Sequence, residues 1–95
     1  KAALVPFETA ELAYELLEVL PELANKGNAN AVSDVGVASL LASAAAKGAL
    51  FNVDINLGSL PEEMIGDLGV KSAQLLEKSR LLSKDSLNIV RSRLN

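Results

Sequence analysis

Glutamates recur along the first quarter of the chain at spacings of three and four residues. Such spacing places side chains on one side of an α-helix, so it predicts a helix over residues 6–24 with a solvated stripe. A cation site is the alternative for this stripe, and a solvated face is the preferred interpretation. The glutamates are Glu8, Glu11, Glu15, Glu18 and Glu22. The apolar side, which we expect to be buried, comprises Ala13, Leu16, Leu17, Leu20 and Ala24.

A polar stretch at residues 25–30 interrupts this pattern. It contains Gly27 and three asparagines, residues that end helices and tolerate left-handed backbone, so it is predicted to be a loop. Over residues 35–57, apolar residues then occur on every side of a second helix, which must therefore be surrounded on most sides. Ser33 is well placed as its N-cap, and Asp34 adds negative charge at the positive end of the helix.

Two alternatives exist for this second segment. Polar and apolar residues alternate over residues 50–56, which is also typical of a strand, although a helix is preferred. A membrane span needs about 20 consecutive apolar residues. Lys47 and Asp54 leave an uncharged run of only twelve, residues 35–46, so we expect no membrane partner.

A seven-residue repeat of large apolar residues marks the last third of the chain. It predicts one long helix over residues 61–93, with a weaker start at Gly66 and Gly69, which cost about 1 kcal/mol each relative to Ala. Ser59, followed by Pro61 and Glu62, resembles a capping box for this helix. The repeat consists of Leu68, Leu75, Leu82 and Ile89, with Ser72, Ser79 and Ser86 interleaved.

Composition narrows the class of protein. The chain has 95 residues, 49% of them hydrophobic but only three aromatic, which favours one small all-α domain, an antiparallel bundle of three long helices. The absence of Cys and His excludes disulfides, zinc sites of the usual ligands and Cys nucleophiles. With a net charge of −3 and no basic patch, we expect no nucleic-acid partner. A cytoplasmic location is the default expectation.

Polar residues also mark one side of the apolar second helix. At about 100° per residue, Asp34 and Asn52 are separated by whole turns and point the same way, with Asn56 about 40° away. We therefore expect these three side chains to face one shared cavity and the two amides to have hydrogen-bond partners. On residue chemistry alone, two interpretations stay open. The polar residues form turns and caps, or a carboxylate near uncharged amides moves a proton on a heterocycle.

Residues 27–57 closely resemble the cyclodeaminase/cyclohydrolase family, which includes formiminotetrahydrofolate cyclodeaminase domains and methenyltetrahydrofolate cyclohydrolases. The resemblance rests on a GN pair, an SD pair, a small-residue helix with a late glycine, and the pattern N-V-x-I-N. In this chain these elements are Gly27 and Asn28, Ser33 and Asp34, Gly48, and Asn52, Val53, Ile55 and Asn56.

The resemblance implies an all-helical fold, a homodimer and a small-molecule folate substrate, with no metal or nucleotide cofactor. It implies Asp34 as the catalytic acid or base, and the substrate-binding residues would be Asn28, Ser33, Asn52 and Asn56. The family's domain extends well upstream, so residues 1–95 are expected to be its C-terminal half, with the N-terminal half as a missing partner. The alternative is a non-catalytic helical dimerisation module of the same fold.

Overall fold

Three antiparallel helices make up the computed structural model, which describes residues 4–94. They are α1 (Leu4–Lys26), α2 (Ala29–Asn56) and α3 (Glu62–Leu94), and a short 3₁₀ turn, Leu57–Ser59, joins the last two. The bundle measures 49 × 16 × 15 Å, so its length is that of one long helix. The prediction of an all-α antiparallel bundle is confirmed, and residues 50–56 are helical rather than extended.

The turn between α1 and α2 is shorter than the predicted loop, because only Gly27 and Asn28 lie outside the helices. A Cβ at Gly27 would lie 3.0 Å from the Ala31 Cβ and 3.2 Å from the Leu23 carbonyl oxygen. Glycine is therefore required here for close approach. Left-handed backbone is not the reason, since no residue in the described part of the chain has a positive φ.

Asn28, and not Ser33, caps the N-terminus of α2. Its backbone is extended, with φ −75° and ψ 176°, and its Oδ1 accepts a hydrogen bond from the Ala31 N–H at 3.0 Å. The prediction of Ser33 as N-cap is wrong, because the helix has already begun four residues earlier, at Ala29. Ser33 and Asp34 therefore lie in the second turn of α2, beyond the unpaired N–H groups of the helix start.

Ser59 also has a different role from the predicted one. Its Oγ donates a hydrogen bond to the Asn56 carbonyl oxygen at 2.7 Å and so stabilises the 3₁₀ turn. The capping box is therefore wrong, and α3 begins at Glu62, directly after Pro61. From there α3 runs without interruption through Gly66 and Gly69, which confirms the single long helix.

The core is divided into two apolar clusters along the bundle. The cluster near the α1–α2 turn contains Leu17, Leu20, Ala24, Val32, Val35, Ala42 and Val90. The cluster at the opposite end contains Ala10, Leu50, Val53, Leu60 and Leu68. Each cluster takes residues from all three helices, so neither cluster is complete unless all three helices are in place.

Small residues let α2 and α3 approach closely beside the cluster near the α1–α2 turn. A Cβ at Gly36 would lie 3.2 Å from Cγ1 of Val90, and the Oγ atoms of Ser39 and Ser83 lie 3.0 Å apart in a buried hydrogen bond. Of the seven-residue repeat, Leu68 is buried, whereas the later members Leu75, Leu82 and Ile89 are half-buried. The interleaved serines Ser72, Ser79 and Ser86 take the innermost positions instead.

A polar contact ties the end of α3 to the end of α1. Arg93 Nη1 donates a hydrogen bond to the carbonyl oxygen of Ala24 at 2.9 Å. Carbonyl groups in the last turn of a helix have no partner within the helix, so the guanidinium satisfies one that the core would otherwise hide from water. This contact fixes the last turn of α3 against the α1–α2 turn.

One side of α2 is left uncovered by the other two helices. Its outward side carries large apolar residues, among them Leu41 and Phe51 at 67% exposure each. The expectation that α2 is surrounded on most sides is therefore not met by residues 4–94. Leu16 on α1 also differs from its predicted burial, because 47% of it is exposed.

By length and composition alone, α2 and the following turn, Ala29–Ser59, are apolar enough to cross a membrane. The core helix of a water-soluble bundle meets the same criterion, and α2 has a buried side that packs against both α1 and α3. Lys47 and Asp54 also interrupt the segment. The absence of a membrane partner stays a prediction.

Candidate functional site

A cavity of about 330 Å³ lies between the start of α1 and the second half of α2. It brings together two elements of the sequence signature, Gly48 and Asn52. Nothing lies within 4 Å of the place where a Cβ at Gly48 would stand, so the glycine leaves this wall open. The lining residues are Val5, Pro6, Thr9, Gly48, Ala49 and Asn52.

Asn56 orients Asn52 at the edge of this cavity. Its Nδ2 donates to the backbone carbonyl oxygen of Asn52 at 2.8 Å and to Oδ1 of Asn52 at 3.3 Å. The helix dictates this pairing, because residues four apart are neighbours on its surface. The prediction that the two amides have hydrogen-bond partners is confirmed, although Asn52 is exposed and Asn56 only half-buried.

Asp34 lies at the other end of α2. Eighteen residues separate it from Asn52, which corresponds to about 27 Å along the helix at 1.5 Å per residue. The two side chains do share one side of α2, but Asp34 does not line the cavity beside Asn52. The prediction of one shared cavity is therefore wrong for a single copy of residues 4–94.

The remaining predicted site residues lie with Asp34 near the α1–α2 turn. Asn28 uses its Oδ1 for the helix cap, and Ser33 is exposed, as is Asp34. The signature thus divides into two groups at opposite ends of α2, one at residues 27–34 and the other at residues 48–56. The functional roles assigned to these residues stay predictions.

A second cavity, of about 390 Å³, lies on the other side of α2, and nothing in the sequence predicted it. Its charged residues come from α2 and α3, about thirty positions apart, so no local pattern could have indicated it. There Arg80 donates two hydrogen bonds to Glu77, at 2.7 and 3.0 Å, and this contact lowers the pKa of the Glu77 carboxyl. The lining residues are Lys47, Leu50, Phe51, Asp54, Leu76, Glu77 and Arg80.

Carboxylates are numerous but not clustered. Within residues 4–94, no group of three or more Asp or Glu side chains is close enough to hold a metal ion. The glutamates of α1 point outward as a stripe, and all five are exposed, in agreement with the solvated-face interpretation. On α1, partial burial and then the neighbouring Glu18 raise the pKa of Tyr14, away from the cavity beside Asn52.

Comparison with known proteins identifies the class to which this helical arrangement belongs. The pattern of the family described as formiminotransferase-cyclodeaminase matches residues 1–74, which include both groups of signature residues. The chain belongs to this family. The match ends within α3.

A relative supports the same assignment over nearly the whole chain. Methenyltetrahydrofolate cyclohydrolase of Methylorubrum extorquens is 30% identical over 92 residues, which cover 96% of this chain. They cover only 44% of the relative. The chain therefore spans less than half the length of the relative that it matches.

Proposed function

We propose that the chain contributes to an enzyme of folate one-carbon metabolism, either a formiminotetrahydrofolate cyclodeaminase or a methenyltetrahydrofolate cyclohydrolase. The observation that carries this proposal is the coincidence of family signature and cavity. Two signature residues, Gly48 and Asn52, line the cavity of about 330 Å³, a volume at the lower end for a small-molecule site. The substrate would be a tetrahydrofolate derivative, and the reaction would need no metal or nucleotide cofactor.

Asn52 and Asn56 would bind the substrate through their carboxamides. An amide both donates and accepts hydrogen bonds, which suits the donor and acceptor edge of a pterin ring. Asn56 already holds Oδ1 of Asn52, so it limits the rotation of the side chain that borders the cavity. In this role Asn52 orients the ring, and Asn56 is a positioning residue.

Asp34 would transfer the proton. In the hydrolysis of 5,10-methenyltetrahydrofolate, water adds to the one-carbon unit, the bond from that carbon to N5 breaks, and 10-formyltetrahydrofolate and one proton are released. A carboxylate that accepts a proton from the attacking water is a general base of the ordinary kind. In cyclodeamination N10 would bond to the formimino carbon, the bond from that carbon to the imino nitrogen would break, and the same group would protonate this nitrogen, which leaves as ammonia. Asn28 and Ser33 would complete this end of the site.

The separation of about 27 Å between Asp34 and Asn52 means that one copy of residues 4–94 cannot place both beside one pterin. The working site must therefore include polypeptide from outside these residues. Two sources are compatible with the family, the remaining part of the domain and a second copy in the proposed homodimer. Both would leave the roles of Asp34 and Asn52 as stated.

The test compares two carboxylates of the same helix in a polypeptide that contains this chain and the rest of its domain. Asp34→Asn should lower kcat by about 100-fold or more, because general acid–base catalysis contributes that much. Asp54→Asn is the matched control: it makes the same change on the opposite side of α2, and it should retain full activity. Conversion is measured with 5,10-methenyl- and 5-formiminotetrahydrofolate separately, which also distinguishes the two reactions.

Equal activity of the Asp34→Asn variant and the control would remove Asp34 from the mechanism. The rival proposal, a non-catalytic dimerisation module, is favoured by the large apolar side chains exposed on α1 and α2. Calorimetric titration with tetrahydrofolate separates the two. A scaffold should give no binding heat and no protection from thermal unfolding, and that result would reject the enzymatic proposal.

A further inference from the structure

A second uncovered apolar stripe lies on α1. Leu12 is 65% exposed, and Leu16 and Leu23 are 47% and 50% exposed. These residues recur at spacings of four and seven, so they form one side of the helix. The glutamates lie beside this stripe, about a quarter turn around α1, and mark the side that faces water. Helix α1 thus has two apolar sides, and α2 and α3 cover only one of them.

The stripes of α1 and α2 flank the same groove. At the open end of the bundle this groove is the cavity in which Val5 and Thr9 of α1 face Gly48 and Asn52 of α2. Helical phase continues the same side of each helix along the bundle, from Thr9 to Leu16 and from Asn52 to Leu41. Helix α3 packs against the other side of α2, at Gly36 and Ser39.

The α1–α2 hairpin therefore presents a continuous apolar surface on the side away from α3. We call it the apolar platform, and on α2 its members are 54–67% exposed. Alanine and glycine occupy the groove side of α2 between the larger residues, at Ala38, Ala45 and Gly48, and such residues let another helix approach closely. The platform comprises Leu12, Leu16, Leu23, Val37, Leu41 and Ile55.

We propose that the apolar platform is the docking surface for the remaining helices of the family domain. The relative extends over more than twice the matched length, because the match covers 44% of it and 56% lies outside. That extra polypeptide needs an apolar surface to fold against, and the platform is a large one that α3 does not use. Single folded chains rarely leave apolar patches of more than a few hundred Å² in water.

Docking here has a consequence for both groups of signature residues. Asn52 lies at one end of the groove between the two stripes, and Asp34, on the same side of α2, lies toward the other. A helix laid along the platform would run past both and convert the open cavity beside Asn52 into an enclosed one. The inference rests on family membership and on the exposed side chains, and not on the folate chemistry proposed above.

The chain contains no cysteine, so a single introduced thiol reports on one position. Leu16→Cys and Leu41→Cys place thiols on the two halves of the platform. Val70→Cys is the matched control, an apolar residue of α3 that is 58% exposed. Each variant is prepared as the 95-residue chain and as a chimera in which this chain replaces the matched part of the Methylorubrum extorquens cyclohydrolase.

The measurement is the rate at which a maleimide reagent labels each thiol. In the chimera, labelling at Leu16→Cys and Leu41→Cys should slow by about tenfold or more relative to the 95-residue chain, because a covered thiol reacts only after local opening. Labelling at Val70→Cys should be unchanged. Circular dichroism verifies the helicity of each variant, and Leu12→Cys or Val37→Cys replaces one that has lost it.

Two results would overturn the proposal. Equal platform labelling in the chimera and in the chain alone would show that the extra polypeptide docks elsewhere. Protection of the chain alone that increases with its own concentration would show that a second copy occupies the platform. Neither result depends on catalysis, so failure of this proposal and failure of the folate proposal are distinguishable.

Discussion

The two sides of α2 are both largely apolar, but they differ in the size of their side chains. Four of the eight buried residues are small, namely Gly36, Ser39, Ala42 and Ala46. The opposite side carries larger ones, such as Leu41 and Phe51, and is exposed. On α2, hydrophobicity therefore does not identify the buried side. Close approach of α2 and α3 requires small residues, whereas the larger ones are not covered by any part of residues 4–94.

The polarity of the exposed side distinguishes α3 from α1 and α2. The exposed side of α3 is mostly charged or polar, which is typical of a helix whose outer surface faces water. The exposed sides of α1 and α2 are apolar over much of their length. If only water surrounded the three-helix bundle, polar outer surfaces would be expected on all three helices.

The largest effect is expected from truncating adjacent leucines on opposite sides of α1. Leu17 is fully buried, so Leu17→Ala should lower the free energy of unfolding by about 2–5 kcal/mol through lost burial and a cavity. Leu16→Ala should change it by less than about 0.5 kcal/mol, since Leu16 is a surface residue here. Chemical denaturation followed by circular dichroism gives both values. Similar losses for the two variants would mean that the platform is covered even in the isolated chain.

Smaller changes in the free energy of unfolding are expected at two glycines of α2, and the two changes should have opposite signs. Gly36→Ala should destabilise the fold by about 1 kcal/mol, because the strain of a methyl 3.2 Å from Val90 exceeds the gain in helix propensity. Gly48→Ala, on the open side, should stabilise it by about 0.5–1 kcal/mol. Thermal unfolding measures both changes. If Gly48→Ala were as damaging as Gly36→Ala, the two sides of α2 would not differ in packing as described.

The third comparison is between Asn28, which caps the N-terminus of α2, and Ser33, which was predicted to do so. Asn28→Ala should cost about 1 kcal/mol, because the Ala31 N–H would lose its acceptor. Ser33→Ala should be neutral in the isolated chain, since Ser33 lies inside α2 and is exposed. Denaturation midpoints of the two variants decide between them. A larger loss for Ser33→Ala would restore the sequence-based prediction of the cap.

Most of the fold was predictable from periodicity, because helical spacing is a local property. The glutamate stripe indicated α1, and the seven-residue repeat indicated that α3 is one helix despite Gly66 and Gly69. Cap positions were less predictable. Ser33 and Ser59 have side chains that suit a helix cap. The connections between the helices, however, place the start of α2 directly after Asn28 and the start of α3 at Glu62.

The candidate site was predictable in identity but not in arrangement. Helical phase correctly placed Asp34 and Asn52 on one side of α2, and the predicted hydrogen bonding of Asn52 and Asn56 is confirmed. Phase ignores distance along the axis, however, so it did not reveal the separation of about 27 Å. The cavity itself could not be predicted, because one wall comes from the start of α1, about forty residues before Gly48 and Asn52 in sequence.

The sequence by itself determined that the chain is helical, that it forms three helices, and to which family it belongs, because short-range spacing and signature residues carry that information. Only the tertiary structure decided which side of α2 is buried. That choice depends on which surfaces can approach most closely, and small residues such as Gly36 allow the closest packing. Larger apolar residues of α2 such as Leu41 and Phe51 consequently remain on the outside.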